Sequence, residues 1–229
     1  MSNNFKQFSA TANTPQIVGF VLDDSGSMSG SKAEQMTNAM QDLIIHLQSR
    51  NLGTTRYRFL MVIVTFGSKA QTIVAGQAPN EISIEEVVFR GQSGGTNMAD
   101  ALSVAADAIT QAIDRCRGLE GFQESIAPPP LVLFFSDGAN TGAPVDTAAN
   151  RLKAVTFGSG SLQIVSVGIG MRPNDFPVMQ RIASSPDLAV NLNPDQLTEF
   201  IADAAQTLVE TNTNVAEAVK ENAFTVRAE

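Results

Sequence analysis

The sequence predicts a doubly wound α/β domain, with a mostly parallel six-stranded sheet, one antiparallel edge strand and helices on both faces. Short apolar runs, typical of strands buried on both faces of a parallel sheet, alternate with longer stretches. In those stretches the apolar residues recur every three or four positions, as on one face of a helix. Two apolar runs end directly in an acid, at Asp23 and Asp137. No internal repeat, long linker or composition break divides the chain, which indicates one such domain.

The composition is that of a folded, acidic protein. The 229 residues are 43% hydrophobic and 17% charged, and 15 Lys and Arg face 23 Asp and Glu, for a formal net charge of −8. This balance argues against nucleic acid or an anionic membrane as the main partner, because both bind clustered positive charge. It favours cations and basic or neutral protein surfaces.

Cysteine and histidine occur once each, as Cys116 and His46. An intramolecular disulfide, a cysteine zinc cage and a multi-histidine metal site are therefore excluded. We interpret Cys116 as a small packed side chain and His46 as a surface or half-buried helix residue. The sequence has no signal-peptide pattern and no apolar run near the roughly 20 residues of a membrane span. We expect a cytoplasmic protein that binds, at most, a hard metal through oxygen ligands.

The first half of the chain contains three strands and two helices. Residues 1–15 are polar, end at Pro15 and are interpreted as an N-terminal arm. The third strand follows the second at hairpin distance, so we expect it to be antiparallel and at the edge. A Gly/Ser loop at 91–95 precedes the second helix. The predicted elements are a strand at 16–23, a helix through 36–47, strands at 57–66 and 70–75, and a helix through 98–113.

The second half continues the alternation after a loop at 117–130. Its last helix begins with Asn193 as cap, Pro194 in the first turn and an amide, Gln196, at the third position. The predicted domain spans 16–212, and 213–229 are interpreted as a tail. The elements are a strand at 131–137, a helix at 146–155, a strand at 162–169, a short helix at 174–183, a strand at 188–192 and the final helix.

Oxygen-bearing side chains follow three of these elements. Asp23, Ser25 and Ser27 come directly after the first strand, Thr96 ends the Gly-rich loop, and Asp137 follows the strand that starts at 131. Ligands of such sheets bind beyond the carboxyl ends of the strands. Carboxylates and hydroxyls are the oxygen ligands that suit Mg²⁺, with Mn²⁺ or Ca²⁺ as alternatives. The sequence therefore predicts a divalent-metal site at this edge.

The pattern Asp-x-Ser-x-Ser at 23–27, Gly-Gly-Thr at 94–96 and Ser-Asp-Gly at 136–138 resembles the metal-ion-dependent adhesion site of von Willebrand factor A domains. The resemblance covers about residues 16 to 210. It implies that Ser25, Ser27 and Thr96 bind the metal through their hydroxyls, and that Asp23 and Asp137 hold metal-bound waters or bind directly. The sixth position is then left for an Asp or Glu side chain of a protein partner.

This resemblance implies a non-enzymatic protein-interaction module, with specificity set by the loops around the metal. Within the family, a stand-alone domain with Asp-x-Ser-Gly-Ser-Met resembles the bacterial TerY-like proteins. That suggests a stress-response or tellurite-resistance complex, or one beside a kinase and a phosphatase. An adaptor that recruits targets to an AAA+ ATPase is the alternative. The predicted partner-binding rim consists of Met28, Gly95, Asn97, Met98, Gly138 and Asn140.

Several residues of these loops carry a second interpretation. Met28 and Met98 either cover the top of the core or offer a partner an adaptable apolar contact. Asp24 and Asp100 are extra acids that either face solvent or lie behind the metal ligands.

Other motifs fit less well. An EF-hand loop starting at Asp23 would have Met28 where glycine is required. The segment from Gly26 to Lys32 places its lysine one residue late for a phosphate-binding loop. The Gly-x-Ser-x-Gly pattern of a serine hydrolase is absent. A metal-assisted phosphatase would use an Asp-x-Asp motif, but the third residue here is Ser25.

Overall fold

The computed structural model describes residues 14–50, 59–158 and 160–210. Within these ranges six strands form one sheet. The strands of this sheet are β1 (Gln16–Asp23), β2 (Phe59–Phe66), β3 (Ala70–Gln77), β4 (Leu131–Ser136), β7 (Gln163–Ile169) and β8 (Ala189–Leu192). Their order in the sheet is β3-β2-β1-β4-β7-β8. All neighbours are parallel except β2 and β3, which form the predicted antiparallel hairpin at the edge.

Helices cover both faces of the sheet, as the alternating pattern predicts. The helices are α1 (Ser31–Arg50), α2 (Met98–Arg117), α3 (Asp146–Lys153), α4 (Pro177–Ile182) and α5 (Leu197–Glu210). Side chains of β1 alternate between two separate cores, because successive residues of a strand point to opposite faces. Phe20 packs with α1 and α5 in one core, and Val21 packs with α2, α3 and α4 in the other. The prediction of a doubly wound α/β domain is confirmed.

Element boundaries differ from the predictions by a few residues. The hairpin strand β3 continues two residues beyond the predicted end, to Gln77, and the short helix α4 begins only at Pro177. Two 3₁₀ turns, Pro79–Glu81 and Ile84–Glu86, occupy a stretch for which the sequence predicted no element. A short hairpin, in which β5 (Thr156–Phe157) and β6 (Gly160–Ser161) have two residues each, was not predicted either. Such short elements lack enough residues to show a periodicity.

The last helix has the predicted start. Pro194–Gln196 form a 3₁₀ turn that leads into α5, and the Gln196 side chain accepts a hydrogen bond from the Asn193 N–H at 3.0 Å. His46 is half-buried on α1, and Cys116 is fully buried on α2, as predicted. Tyr57, nearly all of the N-terminal arm and the C-terminal tail lie outside the described residues, so the predicted domain boundaries stay predictions.

Candidate metal centre

The predicted site residues meet where the order of the sheet reverses. The chain leaves β1 to form β2 on one side of it and later returns to form β4 on the other side. The carboxyl ends of β1 and β4 therefore border a crevice, the place where open α/β sheets bind their ligands. Asp23 is the last residue of β1, and Asp137 directly follows β4.

Asp23 lies at the base of this crevice and is fully buried. Its Oδ1 accepts a hydrogen bond from the Ser25 backbone N–H at 2.8 Å, and its Oδ2 accepts one from the Ser136 hydroxyl at 2.5 Å. Burial raises the pKa of Asp23, and the neighbouring Asp137 adds to the rise, while the bonds from Ser136 and Ser25 oppose it. A buried carboxylate with this environment would gain from a cation nearby.

A chain of hydrogen bonds near Asp23 joins the side-chain oxygens of Ser25, Ser27 and Asp137. The two serine hydroxyl oxygens are 3.2 Å apart, and the Ser27 hydroxyl donates to Asp137 Oδ1 at 2.6 Å. The first loop is held in this shape by a 3₁₀ turn at Gly26–Met28. The Gly26 N–H donates to the Gly94 carbonyl at 3.0 Å, which joins the first loop to the Gly-rich loop.

Thr96 is brought to the same place by the loop that follows Gly94. It is buried, and its backbone is paired with Thr141 of the loop after β4. The Thr96 N–H donates to Thr141 Oγ1 at 2.9 Å, and the Thr141 N–H donates to the Thr96 carbonyl at 2.8 Å. Gly94 has φ +82°, a conformation in which a side chain would be strained, and a Cβ there would lie 2.4 Å from Ser68 Oγ.

The residues present fit a hard divalent cation. A Cβ placed on Gly138 would lie 3.6 Å from both Ser27 Oγ and Thr96 Oγ1, so both hydroxyl oxygens border one small space that glycine leaves open. Two buried carboxylates, Asp23 and Asp137, lie behind these hydroxyls. Five oxygen-bearing side chains with no nitrogen or sulfur ligand match the preference of Mg²⁺. Among the described residues no cluster of three His, Cys, Asp or Glu side chains suits a metal, so hydroxyls would have to complete the set.

Lys32 also borders this centre, although the sequence pattern around it indicated only an imperfect phosphate-binding loop. Its ammonium donates to Asp137 Oδ2 and, at 3.3 Å, to the Ser27 carbonyl. The ammonium thus binds a carboxylate oxygen of Asp137 that would also attract a metal cation. A lysine in the first turn of the helix after an Asp-x-Ser-x-Ser loop is a signal that could have been noticed.

The two extra acids have structural roles. Asp24 Oδ1 accepts from the N–H groups of Arg90 and Gly91 at 2.7 and 2.6 Å, and its Oδ2 accepts from Ser93 Oγ at 2.7 Å. Asp100 Oδ2 accepts from the Ala70 N–H at 2.7 Å, which joins α2 to the start of β3. Neither carboxylate is hydrogen-bonded to a predicted metal ligand; Asp24 fastens the loop that leads to Thr96.

The structure corrects the predicted rim at two positions. Met28 and Met98 are 1% and 0% exposed, so they fill the two cores beneath the loops and offer no contact to a partner. Both methionines follow polar loops, but each begins an apolar face. Packing of that face against the sheet turns their side chains into the two cores. The other four rim residues, Gly95, Asn97, Gly138 and Asn140, are half-exposed.

Two of these rim residues also hold the loops together. Asn97 Oδ1 accepts from the Asp100 N–H at 3.2 Å and so caps α2. Asn140 Oδ1 accepts from the Met98 N–H at 3.1 Å, which ties the loop after β4 to the start of α2. The rim is therefore an ordered surface of small and amide side chains.

A family model and several known proteins are similar to this chain. The model of the von Willebrand factor type A domain matches residues 18–220. The human inter-alpha-trypsin inhibitor heavy chain H4 is 24% identical over 222 residues, which are 92% of this chain and 23% of that protein. The chain thus spans about a quarter of this curated relative.

Solved structures share the fold at low identity. The von Willebrand factor domain of the type V pili tip protein Mfa5 from Porphyromonas gingivalis superposes with a TM-score of 0.61 at 12% identity, covering 88% of this chain and 97% of that chain. Proximal thread matrix protein 1 from the mussel byssus, in a structure described as having a zinc-occupied MIDAS motif, gives a TM-score of 0.58 at 19% identity, covering 86% and 46%. No described helix is both long and apolar enough to span a membrane.

Proposed function

Because the chain belongs to the von Willebrand factor type A domain family, we propose that it is a non-enzymatic, divalent-metal-dependent protein-interaction module. The metal, Mg²⁺ in our proposal, is held by Asp23, Ser25, Ser27, Thr96 and Asp137. It coordinates an Asp or Glu side chain of a protein partner. The convergence of these five oxygen-bearing side chains at the switch point of the sheet carries the proposal.

The chemistry follows from the ligand set. Hydroxyls leave a dication more electrophilic than a cage of carboxylates would, and two aspartates balance its charge. A bound dication supplies one strong electrophile for an incoming carboxylate. The chain's own residues hold the hydroxyls in place, bury Asp23 away from water and present an uncharged rim. The bound metal thereby gives a protein of net negative charge a site that attracts carboxylates.

The zinc-occupied motif reported for the mussel protein supports a metal at this position. It leaves the choice of metal open, and Mg²⁺ is proposed here from the oxygen-only donor set. A calorimetric titration of the purified chain with Mg²⁺, Mn²⁺, Ca²⁺ and Zn²⁺ would rank the metals. Because Zn²⁺ binds most protein sites more tightly than Mg²⁺ does, the decisive result is Mg²⁺ binding itself. A chain that binds Zn²⁺ but shows no heat of binding with Mg²⁺ would contradict that choice.

The partner prediction is tested by affinity capture from a lysate of the source cells. The arms are wild type with Mg²⁺, wild type with EDTA, and Thr96→Ala with Mg²⁺. Thr110→Ala is the matched control, because its hydroxyl bonds only the Ala106 carbonyl of its own helix at 2.8 Å. We expect a partner captured by wild type and Thr110→Ala in Mg²⁺ and lost in the other two arms. A partner retained in every arm would place the binding surface elsewhere.

A cytoplasmic location stays a prediction. A tellurite-resistance-like or kinase- and phosphatase-associated complex is a proposal that rests on the Asp-x-Ser-Gly-Ser-Met loop. Recruitment to an AAA+ ATPase is the alternative. The identity of the captured partner distinguishes these settings. A metal-dependent phosphatase is tested separately: Mg²⁺-dependent turnover of p-nitrophenyl phosphate that Asp23→Asn abolishes would contradict the non-enzymatic proposal.

A further inference from the structure

Lys32 lies beside the proposed metal site without being a predicted metal ligand. Its side chain is 28% exposed, whereas the side chain of its ion-pair partner, Asp137, is 1% exposed. The second contact of its ammonium is the Ser27 carbonyl, at 3.3 Å. The ammonium therefore reaches from the first turn of α1 into the space beside two predicted ligands.

Both oxygens of Asp137 already have donors. Oδ1 accepts from Ser27 Oγ at 2.6 Å, and Oδ2 accepts from Lys32 Nζ. Each carboxylate oxygen keeps a second lone pair, but a divalent cation at this site repels the ammonium beside it. Metal binding must therefore weaken or replace the bond between Lys32 and Asp137.

The ion pair between Lys32 and Asp137 affects the charge balance of the site. The Asp23 carboxylate accepts a hydrogen bond from Ser136, and Asp137 is the next residue of the chain, so the two carboxylates are neighbours. Without a metal, two neighbouring buried carboxylates repel each other, and the Lys32 ammonium offsets part of that repulsion. Opposite charges at low exposure interact more strongly than they would in water.

We propose that Lys32 is a tethered counter-ion of the metal centre. Its ammonium competes with the divalent cation for Asp137, so Lys32 lowers the metal affinity and stabilises the metal-free protein. This inference rests on the proposed metal site. It adds that the affinity for the metal is set partly by a residue of this chain that does not bind it.

An ordinary surface ion pair predicts something different. Such a pair contributes little to stability, and removing it would leave the metal affinity unchanged or weaken it through a less ordered loop. The tethered counter-ion predicts a gain in metal affinity on removal of Lys32. The direction of the change in metal affinity therefore distinguishes an ordinary surface ion pair from a tethered counter-ion.

The test uses the full chain with Mn²⁺ as the probe, and electron paramagnetic resonance to count free Mn²⁺. The variants are Lys32→Met, which keeps the long apolar stem, and Lys32→Arg, which keeps the charge. Lys69→Met is the matched control, since Lys69 is an exposed lysine in the turn after β2, at the same edge of the sheet. It removes one positive charge without touching Asp137.

We expect Lys32→Met to bind Mn²⁺ about tenfold more tightly than wild type, the scale of one lost charge-assisted hydrogen bond. Lys32→Arg should stay within about twofold of wild type, and Lys69→Met should change by less than about threefold because exposed charges are screened. In EDTA, Lys32→Met should melt at a lower temperature than wild type. Equal or weaker binding by Lys32→Met than by Lys69→Met would overturn the inference.

A measurement on the wild type covers the case in which Lys32→Met fails to fold. The Lys32 side-chain ¹⁵Nζ resonance, assigned with Lys32→Arg, should shift on saturation with Mg²⁺, while the Lys69 resonance stays in place. A Lys32 resonance that does not move in a protein that binds Mg²⁺ would overturn the counter-ion role alone. A wild-type chain that binds neither Mn²⁺ nor Mg²⁺ would overturn the proposed function as well.

Discussion

The Ser136 hydroxyl donates a hydrogen bond of 2.5 Å to Oδ2 of Asp23, from β4 to the end of the neighbouring strand β1. Both residues are fully buried. The bond joins the two strands at the point where the order of the sheet reverses, and it directs the Asp23 carboxylate toward the crevice. It also opposes the effect of burial, which raises the pKa of Asp23.

Replacing Asp23 by Asn should stabilise the metal-free protein and abolish its response to metal. Burial makes the charged form of Asp23 costly, and a neutral amide avoids that cost while its oxygen still accepts from the Ser25 N–H. In EDTA we expect a melting temperature higher by a few degrees, for a gain of about 1 kcal/mol. Mg²⁺ should raise the melting temperature of wild type but not of Asp23→Asn, because a ligand stabilises only a state that binds it.

The matched control for this prediction is Asp42→Asn, at an exposed position of α1. It should change stability by no more than about 0.5 kcal/mol. Because the protonated form of Asp23 carries no charge, the advantage of Asp23→Asn over wild type should shrink as the pH falls toward the raised pKa. A lower melting temperature of Asp23→Asn in EDTA would contradict the account of Asp23.

Asp24→Ala should destabilise the protein whether or not metal is present. The change leaves the N–H groups of Arg90 and Gly91 and the Ser93 hydroxyl without their shared acceptor. The loss of several hydrogen bonds to a charged group should cost about 2–3 kcal/mol in urea denaturation. Asp107→Ala provides the contrast: Asp107 and Arg151 pair at the surface with side chains 60% and 53% exposed.

That exposed pair should contribute less than about 1 kcal/mol, so Asp107→Ala should be nearly neutral. Equal costs for the two alanine variants would show that Asp24 does not fasten the loop. If Asp24→Ala lost Mg²⁺ binding with unchanged stability, Asp24 would belong to the metal site instead.

Thr141→Val should weaken metal binding through Thr96. The valine removes the oxygen that accepts from the Thr96 N–H at 2.9 Å, while the backbone bond from Thr141 N–H to the Thr96 carbonyl remains. Residues that orient metal ligands typically change affinity by tenfold or more when they are removed, and we expect about tenfold in the Mn²⁺ titration. Thr141→Ser keeps the oxygen and should bind like wild type, so equal affinities of the valine and serine variants would count against this role.

Cys116 should be unreactive in the folded protein. It is fully buried on α2, and burial raises the pKa of its thiol to about 12. At pH 8 the native thiol is therefore protonated, and thiolate is the reactive form. Ellman's reagent should react about a hundredfold more slowly in buffer than in urea, where the single cysteine should yield one equivalent. Rapid release of one equivalent from the native protein would contradict the burial of Cys116.

The number and type of the main elements could be predicted because their signals are local. The run that ends at Asp23 and the stretch from Met36 to Leu47 each carry a complete period pattern, and the structure has a strand and a helix there. The antiparallel edge followed from the short turn before Ala70. The β5–β6 hairpin was missed, since two-residue strands show no pattern.

The sequence by itself predicted that Asp23, Ser25, Ser27 and Asp137 lie at one edge of the sheet, because parallel strands bring their carboxyl ends together. Thr96 joined this set through the resemblance to a known metal site. Only the tertiary structure decided what each of these side chains contacts. Ser136 reaches Asp23 across 113 positions, and Lys32 reaches Asp137 across 105. Such contacts depend on strand register and helix orientation, which are set by packing between distant parts of the chain and leave no trace in a local pattern.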